Sequence, residues 1–208
     1  MKTIDLINTL PYFTLAQISL LYKNKKEASV IISNKLRQKK IHSIREGIYL
    51  SDDKLKEIML TWKISSFIAF SATHLIYTPS YLSLEYVLFE NNIITENVYT
   101  FTLVSTKKTA TFKNEFWTFH YKSIKEEFFW DYYVCMKNGF CFYKATPEKA
   151  LFDYFYFKKD FVFDEEYLNE LRINRENVDI KRLEKLVKKY KSKKMQKIFT
   201  FIKNTLWL

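Results

Sequence analysis

Three features of this 208-residue sequence predict an α+β fold. Near the N-terminus, two short capped helical segments lead into a glycine-tipped hairpin. Residues 98–144 hold aromatic and β-branched residues in strand-like runs, and residues 146–208 return to helical spacing. The first feature, residues 1–51, has the outline of a winged helix-turn-helix. The remainder, 52–208, is expected to be a mixed α/β domain with antiparallel strands and C-terminal helices.

The stretch from Phe13 to Leu50 organises the rest. Thr14 is a good N-cap, Gln17 three residues later completes a capping box, and Phe13 with Ile18 can form the hydrophobic staple. This helix is expected to end near Tyr22, before the polar break Lys23-Asn24-Lys25-Lys26. A second helix is expected from about Glu27 to Lys39. A hairpin follows, from Ile41 to Ile44 and Ile48 to Leu50, turning at Arg45-Glu46-Gly47. Gly47 is one of only two glycines, placed where a tight turn needs φ > 0. Residues 3–10 are expected to form a preceding helix, with Leu6, Ile7 and Leu10 inward and Pro11 stopping it.

At about 100° per residue, Ala28, Ile32 and Leu36 share one face of the second helix. The opposite face collects Lys26, Val30, Asn34 and Arg37, with Ser33 at its edge. A cation for phosphate, an amide and a guanidinium for base edges, and a small apolar group for a thymine methyl are what major-groove reading uses. The bland interpretation is a solvated charged face. The capped helix before it and the hairpin after it favour DNA binding, with Arg45 at the hairpin tip reaching a phosphate or the minor groove. One such helix reads few base pairs, so two copies on an inverted-repeat operator are expected.

Charge is distributed to match. Residues 1–50 carry nine Lys or Arg against three acids, net +6, and residues 179–208 carry ten against two, net +8. The middle carries fifteen against eighteen, net −3. A basic surface attracts a polyanion and releases its counterions.

Further along, Asp52 to Trp62 reads as a helix with Leu55, Ile58, Met59 and Trp62 at helical spacing. Ile64 to Tyr77 is ambiguous between buried helix and strands. Ser83 can cap a helix through about Glu90. Strands are expected over Tyr99–Val104, Phe116–Tyr121, Val134–Met136 and Phe140–Tyr143, the last two joined by Asn138-Gly139, a strong hairpin signal. Thr146-Pro147-Glu148 starts a buried helix to about Phe157 with cap, N1 proline and first-turn acid in their preferred places. Asp164–Ile173 and two amphipathic segments that break near Ser192 complete the chain.

The run TPSYLSLEYVLFENNII (Thr78 to Ile94) and then ATPEKALFDYFYF (Ala145 to Phe157), behind a winged helix ending in REGIYL, resembles the AbiEi-type antitoxins of bacterial abortive-infection systems. STKK (Ser105 to Lys108) and the closing LRIN…DIKRLEKLVKKY…KKMQKI also fit, so the resemblance covers nearly the whole chain. Lys40-Ile41 departs from it, standing where many members have a glycine. The resemblance implies a bipartite protein. Its N-terminal domain would repress its own operon, and its C-terminal domain would counter a co-encoded nucleotidyltransferase-like toxin without a stable complex. The basic C-terminal residues Lys188, Lys189, Lys193 and Lys194 are the expected antitoxin surface. The alternative is a plain winged-helix regulator whose second domain dimerises or senses a ligand.

No catalysis, metal or cofactor is expected. His42, His74 and His120 lie in separate elements, His42 on the hairpin surface. Cys135 and Cys141 are six apart, wider than usual zinc-knuckle spacing. Two glycines in the whole chain exclude a glycine-rich phosphate loop. Asp52-Lys54 and Asp179-Lys181 are the only acid-x-Lys pairs and lack a partner acid. Asp153, within an otherwise apolar helix, reads as a salt bridge to Lys149 rather than as a functional acid. No run approaches the ~20 apolar residues of a membrane span, and no signal peptide or disulfide framework is evident, so a cytoplasmic location is expected.

Overall fold

The computed structural model describes residue 7 and residues 10–22, 24–159 and 161–207. The helix expected over residues 3–10 lies outside the described residues, apart from Ile7 and Leu10.

The N-terminal unit runs β1 (Phe13–Thr14), α1 (Leu15–Ser19), α2 (Lys25–Arg37), β2 (Ile41–Arg45) and β3 (Ile48–Ser51). Its small antiparallel sheet has the order β1-β3-β2. The capping box forms as expected: the Gln17 amide donates to Thr14 Oγ1 at 3.2 Å, and the Thr14 amide donates to Gln17 Oε1 at 2.8 Å. Phe13 and Ile18 share one buried cluster with Ile7, Ala28, Ile32 and Ile41. α1 stops at Ser19, short of Tyr22. α2 begins two residues before Glu27 because Asn24, inside the expected polar break, accepts from the Glu27 amide at 2.9 Å and caps the helix. Gly47 takes φ +80° in the hairpin turn.

After α3 (Asp52–Leu60) and α4 (Ile64–Phe70), the ambiguous stretch continues as a π-helix, Ser71–Ile76. Leu55 and Ile58 are buried, but Met59 and Trp62 are exposed, Trp62 at 87%. α3 ends at Leu60 and Trp62 adopts φ +57°, so helical spacing no longer governs where Trp62 points.

The main sheet consists of β4 (Ser80–Leu82), β5 (Phe101–Ser105), β6 (Ala110–Lys113), β7 (Thr118–Ser123), β8 (Tyr132–Lys137) and β9 (Phe140–Ala145), in the order β6-β7-β5-β4-β9-β8. It is mixed rather than antiparallel. β5 pairs parallel with β7, which inserts between it and the edge strand β6, and β4 pairs parallel with β9, which inserts between it and the edge strand β8. The Asn138-Gly139 turn has both residues at positive φ, +54° and +81°, as a two-residue hairpin with matched twist requires. Side chains alternate across a strand. Ser80 Oγ donates to the Ala72 carbonyl of the π-helix, whereas the Tyr81 hydroxyl donates to Asp153 on the other side. The sheet therefore lies between the α4–π-helix layer and the helices that follow.

Those helices are α5 (Leu84–Glu90), α6 (Pro147–Phe157), α7 (Glu165–Glu170), α8 (Ile180–Tyr190) and α9 (Lys193–Trp207). Ser83 precedes α5, but its hydroxyl donates to Asp153 at 2.8 Å instead of capping. The Thr102 hydroxyl fills that gap, accepting from the Tyr86 amide at 3.0 Å and donating to the Ser83 carbonyl at 2.7 Å. The expected Lys149–Asp153 ion pair is present and fully buried. Rings of Tyr81, Phe152 and Tyr190 surround the ammonium at 5.2–5.4 Å. Burial pushes the Asp153 carboxyl up and the Lys149 ammonium down, while each partner's charge pulls the other back. Among the described residues, no helix is long and apolar enough to cross a membrane.

The hairpin does not stand apart from the second unit. Ile44 and Leu50 belong to the large core with Leu55, Ile58 and Phe67. His42, expected at the surface, is buried. Its Nδ1 lies 2.6 Å from Glu115 Oε1 and its Nε2 lies 3.0 Å from Asp52 Oδ1, with the Phe116 ring edge-on at 5.2 Å. Lys56 first, then His42, hold the Asp52 carboxyl below its usual range. That contribution is present at neutral pH and is lost only as the pH falls through the lowered value.

Candidate nucleic-acid interface

α2 divides sharply by face. Ala28 and Ile32 are buried against Phe13, Ile18 and Ile41. Lys26, Val30, Ser33, Asn34 and Arg37 are all exposed, Val30 at 60% despite being apolar. Gln38, one turn beyond Asn34 and also exposed, extends the face. The i,i+4 spacing from Asn34 is the signal that could have found it. Arg37 Nη2 donates to Asn34 Oδ1 at 3.2 Å, so the amide and guanidinium best suited to base edges touch each other. Next to this face, partial burial and then the charge of Lys40 lower the Lys35 ammonium. The end of α2 is thus a concentration of positive charge.

Arg45 is placed differently from expectation. Its Nη1 donates to the Ile76 carbonyl at 2.6 Å and to the Leu75 carbonyl at 3.4 Å. These carbonyls end the π-helix and lack helical partners, so a guanidinium satisfies them well. The Leu15 amide donates to the Gly47 carbonyl at 3.0 Å, which ties the hairpin tip to α1. Arg45→Ala should therefore cost about 1.5 kcal/mol of stability, the low end for a charged hydrogen bond, and leave duplex affinity unchanged. Urea unfolding beside a DNA titration checks this. Lost affinity with unchanged stability would return Arg45 to the DNA.

The four lysines expected as an antitoxin surface are all exposed, and three of them have partners within the fold. Lys188 pairs with Glu184 at 2.7 Å, and Lys203 joins the same carboxylate at 3.4 Å. Lys189 lies over the Trp130 ring. Lys194 donates to the Tyr156 and Lys158 carbonyls at 2.9 and 2.5 Å, closing the end of α6. Lys193 is exposed at the first turn of α9. Of the three partnered lysines, one is thus held inside α8, one on a loop ring and one between α9 and the end of α6, because long lysine stems reach neighbouring acceptors.

Among the described residues, no group of three or more His, Cys, Asp or Glu is placed to hold a metal. No family model matches the chain, and no curated protein matches it.

Proposed function

We propose that this protein binds duplex DNA in a sequence-specific way through α2, as the autorepressing antitoxin of an AbiEi-type system. The observation that carries the DNA half is the division of α2. One face is fixed in an apolar cluster, and the other presents Lys26, Val30, Ser33, Asn34 and Arg37 to solvent. The order helix, helix, hairpin is the order a winged helix-turn-helix would have, and the exposed face of α2 supports its use as the reading helix. The antitoxin half rests on the resemblance, and the second unit would supply it without catalysis.

Titration of the protein with DNA from upstream of its own gene, followed by fluorescence anisotropy, tests the DNA half. Asn34→Ala and Arg37→Ala should each cost about 1–3 kcal/mol on the true site. Because the two side chains touch, their effects should not add, and a double-mutant cycle should return a coupling energy. Lys26→Ala should weaken specific and random duplexes alike and lower the salt slope by about 1. If all three variants bind like the parent, α2 is not the reading helix. Growth on co-expression with a neighbouring nucleotidyltransferase-like gene separates an antitoxin from a plain regulator.

A further inference from the structure

Lys159 and the segment Phe161–Phe163 meet the first turns of α9 across a cleft of about 340 Å³. Lys159, Phe161 and Phe163 line it from the segment, and Lys193, Lys194, Lys197 and Ile198 line it from the helix. Ile198 is buried and Phe161 partly so, which makes a fixed apolar floor, whereas Phe163 stays 55% exposed. Phe161 and Phe201 hold the Phe163 ring edge-on, with centroids at 5.1 and 5.6 Å, so its position is set although much of its surface is open. Lys194 ties the start of α9 to the end of α6 and fixes the wall between them. Of the two acids beside it in the chain, Asp164 is turned to cap α7, accepting from the Glu166 amide at 3.2 Å, and Asp160 lies outside the described residues.

Three ammonium-bearing side chains around an exposed aromatic ring suit a ligand with one flat face and negative charge. The first turn of α9 carries no acid, and its lysines sit at the positive end of the helix dipole. That arrangement is unfavourable alone and is offset by an anion. We propose that this cleft binds a nucleotide unit, with its base against Phe163 and its phosphate among Lys159, Lys193 and Lys197. Stacking supplies the attraction for any base, and the ammoniums supply the salt-dependent part. The site is separate from α2 and does not depend on duplex reading there. The unit could belong to a free nucleoside triphosphate or to a single strand.

The test uses the full chain and two fluorescent probes, a uridine oligonucleotide of about 12 residues and a nucleoside triphosphate. Both are followed by anisotropy at low salt. Phe163→Ala should weaken whichever probe binds by about tenfold, and K193E with K197E should weaken it at least as much. Both changes are on the surface and should leave the circular dichroism spectrum unchanged. Arg37→Ala, on α2, should leave probe affinity as it was. Binding of the oligonucleotide alone assigns the cleft to a strand, and binding of the triphosphate to the free nucleotide. The proposal is overturned if neither probe binds, if the cleft variants bind like the parent, or if Arg37→Ala does the damage instead.

Discussion

Asp153→Ala should lower the stability of the protein by about 3–5 kcal/mol, the range for removing one partner of a buried ion pair. Lys149 would remain with no carboxylate, enclosed by the rings of Tyr81, Phe152 and Tyr190. The Tyr81 and Ser83 hydroxyls, which donate to Asp153 Oδ2 at 3.0 and 2.8 Å, would lose their acceptor together. An isolated buried ammonium is the costliest of these defects. Adding Lys149→Met should therefore recover part of the loss, leaving mainly the two unsatisfied hydroxyls. Urea unfolding of the three proteins measures it. A loss below about 1 kcal/mol for Asp153→Ala would mean that the cluster is not an interdependent unit.

The second large effect concerns where the chain can be divided. The sequence suggests that residues from about 55 onward hold their own core. In the structure Ile44 and Leu50 lie inside that core, with Tyr12 and Ile48 packed on it. Burying one such aliphatic side chain stabilises by about 1.5–3 kcal/mol, and a whole domain has only about 5–15 kcal/mol in hand. A chain beginning at Asp52 also loses His42 between Asp52 and Glu115, and Arg45 on the Ile76 carbonyl. It should unfold at a much lower urea concentration than a chain beginning at Lys40, which keeps the hairpin. Equal midpoints would show that the second unit does stand alone.

Features fixed by a few neighbouring residues were readable in advance: the Thr14 cap, the Gly47 and Asn138-Gly139 turns, the Thr146-Pro147 helix start, the break at Ser192 and the two faces of α2. What depended on distant partners was not. Nothing near Ser83 indicates that its hydroxyl is claimed by Asp153, seventy residues on, leaving the cap to Thr102. The π-helix at Ser71–Ile76 is hidden because its stretch is buried nearly all round, and periodicity carries no information there. β6 is a short edge strand with alternate residues exposed, and it was missed. The parallel pairings follow from non-local insertion rather than from any turn. At the candidate interface the helix face was legible. The roles of Arg45, Lys188, Lys189 and Lys194 were not, since each is set by an acceptor or ring elsewhere in the fold.

The two stretches that carry the AbiEi resemblance meet at one point. Tyr81 and Ser83 from the first donate to Asp153 from the second, beside Lys149. Their spacing therefore has a physical reason within the fold: a strand end and a helix share one buried polar cluster. That cluster explains why these residues stand where they do in this fold and bears on no activity, so the functional weight falls on α2.

Hydroxyl-radical footprinting of the DNA upstream of the gene, with the parent and with the Asn34→Ala, Arg37→Ala double variant, tests that weight most directly. The expected result is protection of two inverted half-sites, spaced by about one helical turn or a multiple of it, with the double variant losing the pattern at the same protein concentration. A single unrepeated half-site would contradict the two-copy arrangement. An unchanged footprint with the double variant, or only diffuse salt-sensitive binding by the parent, would contradict the assignment of α2 as the reading helix.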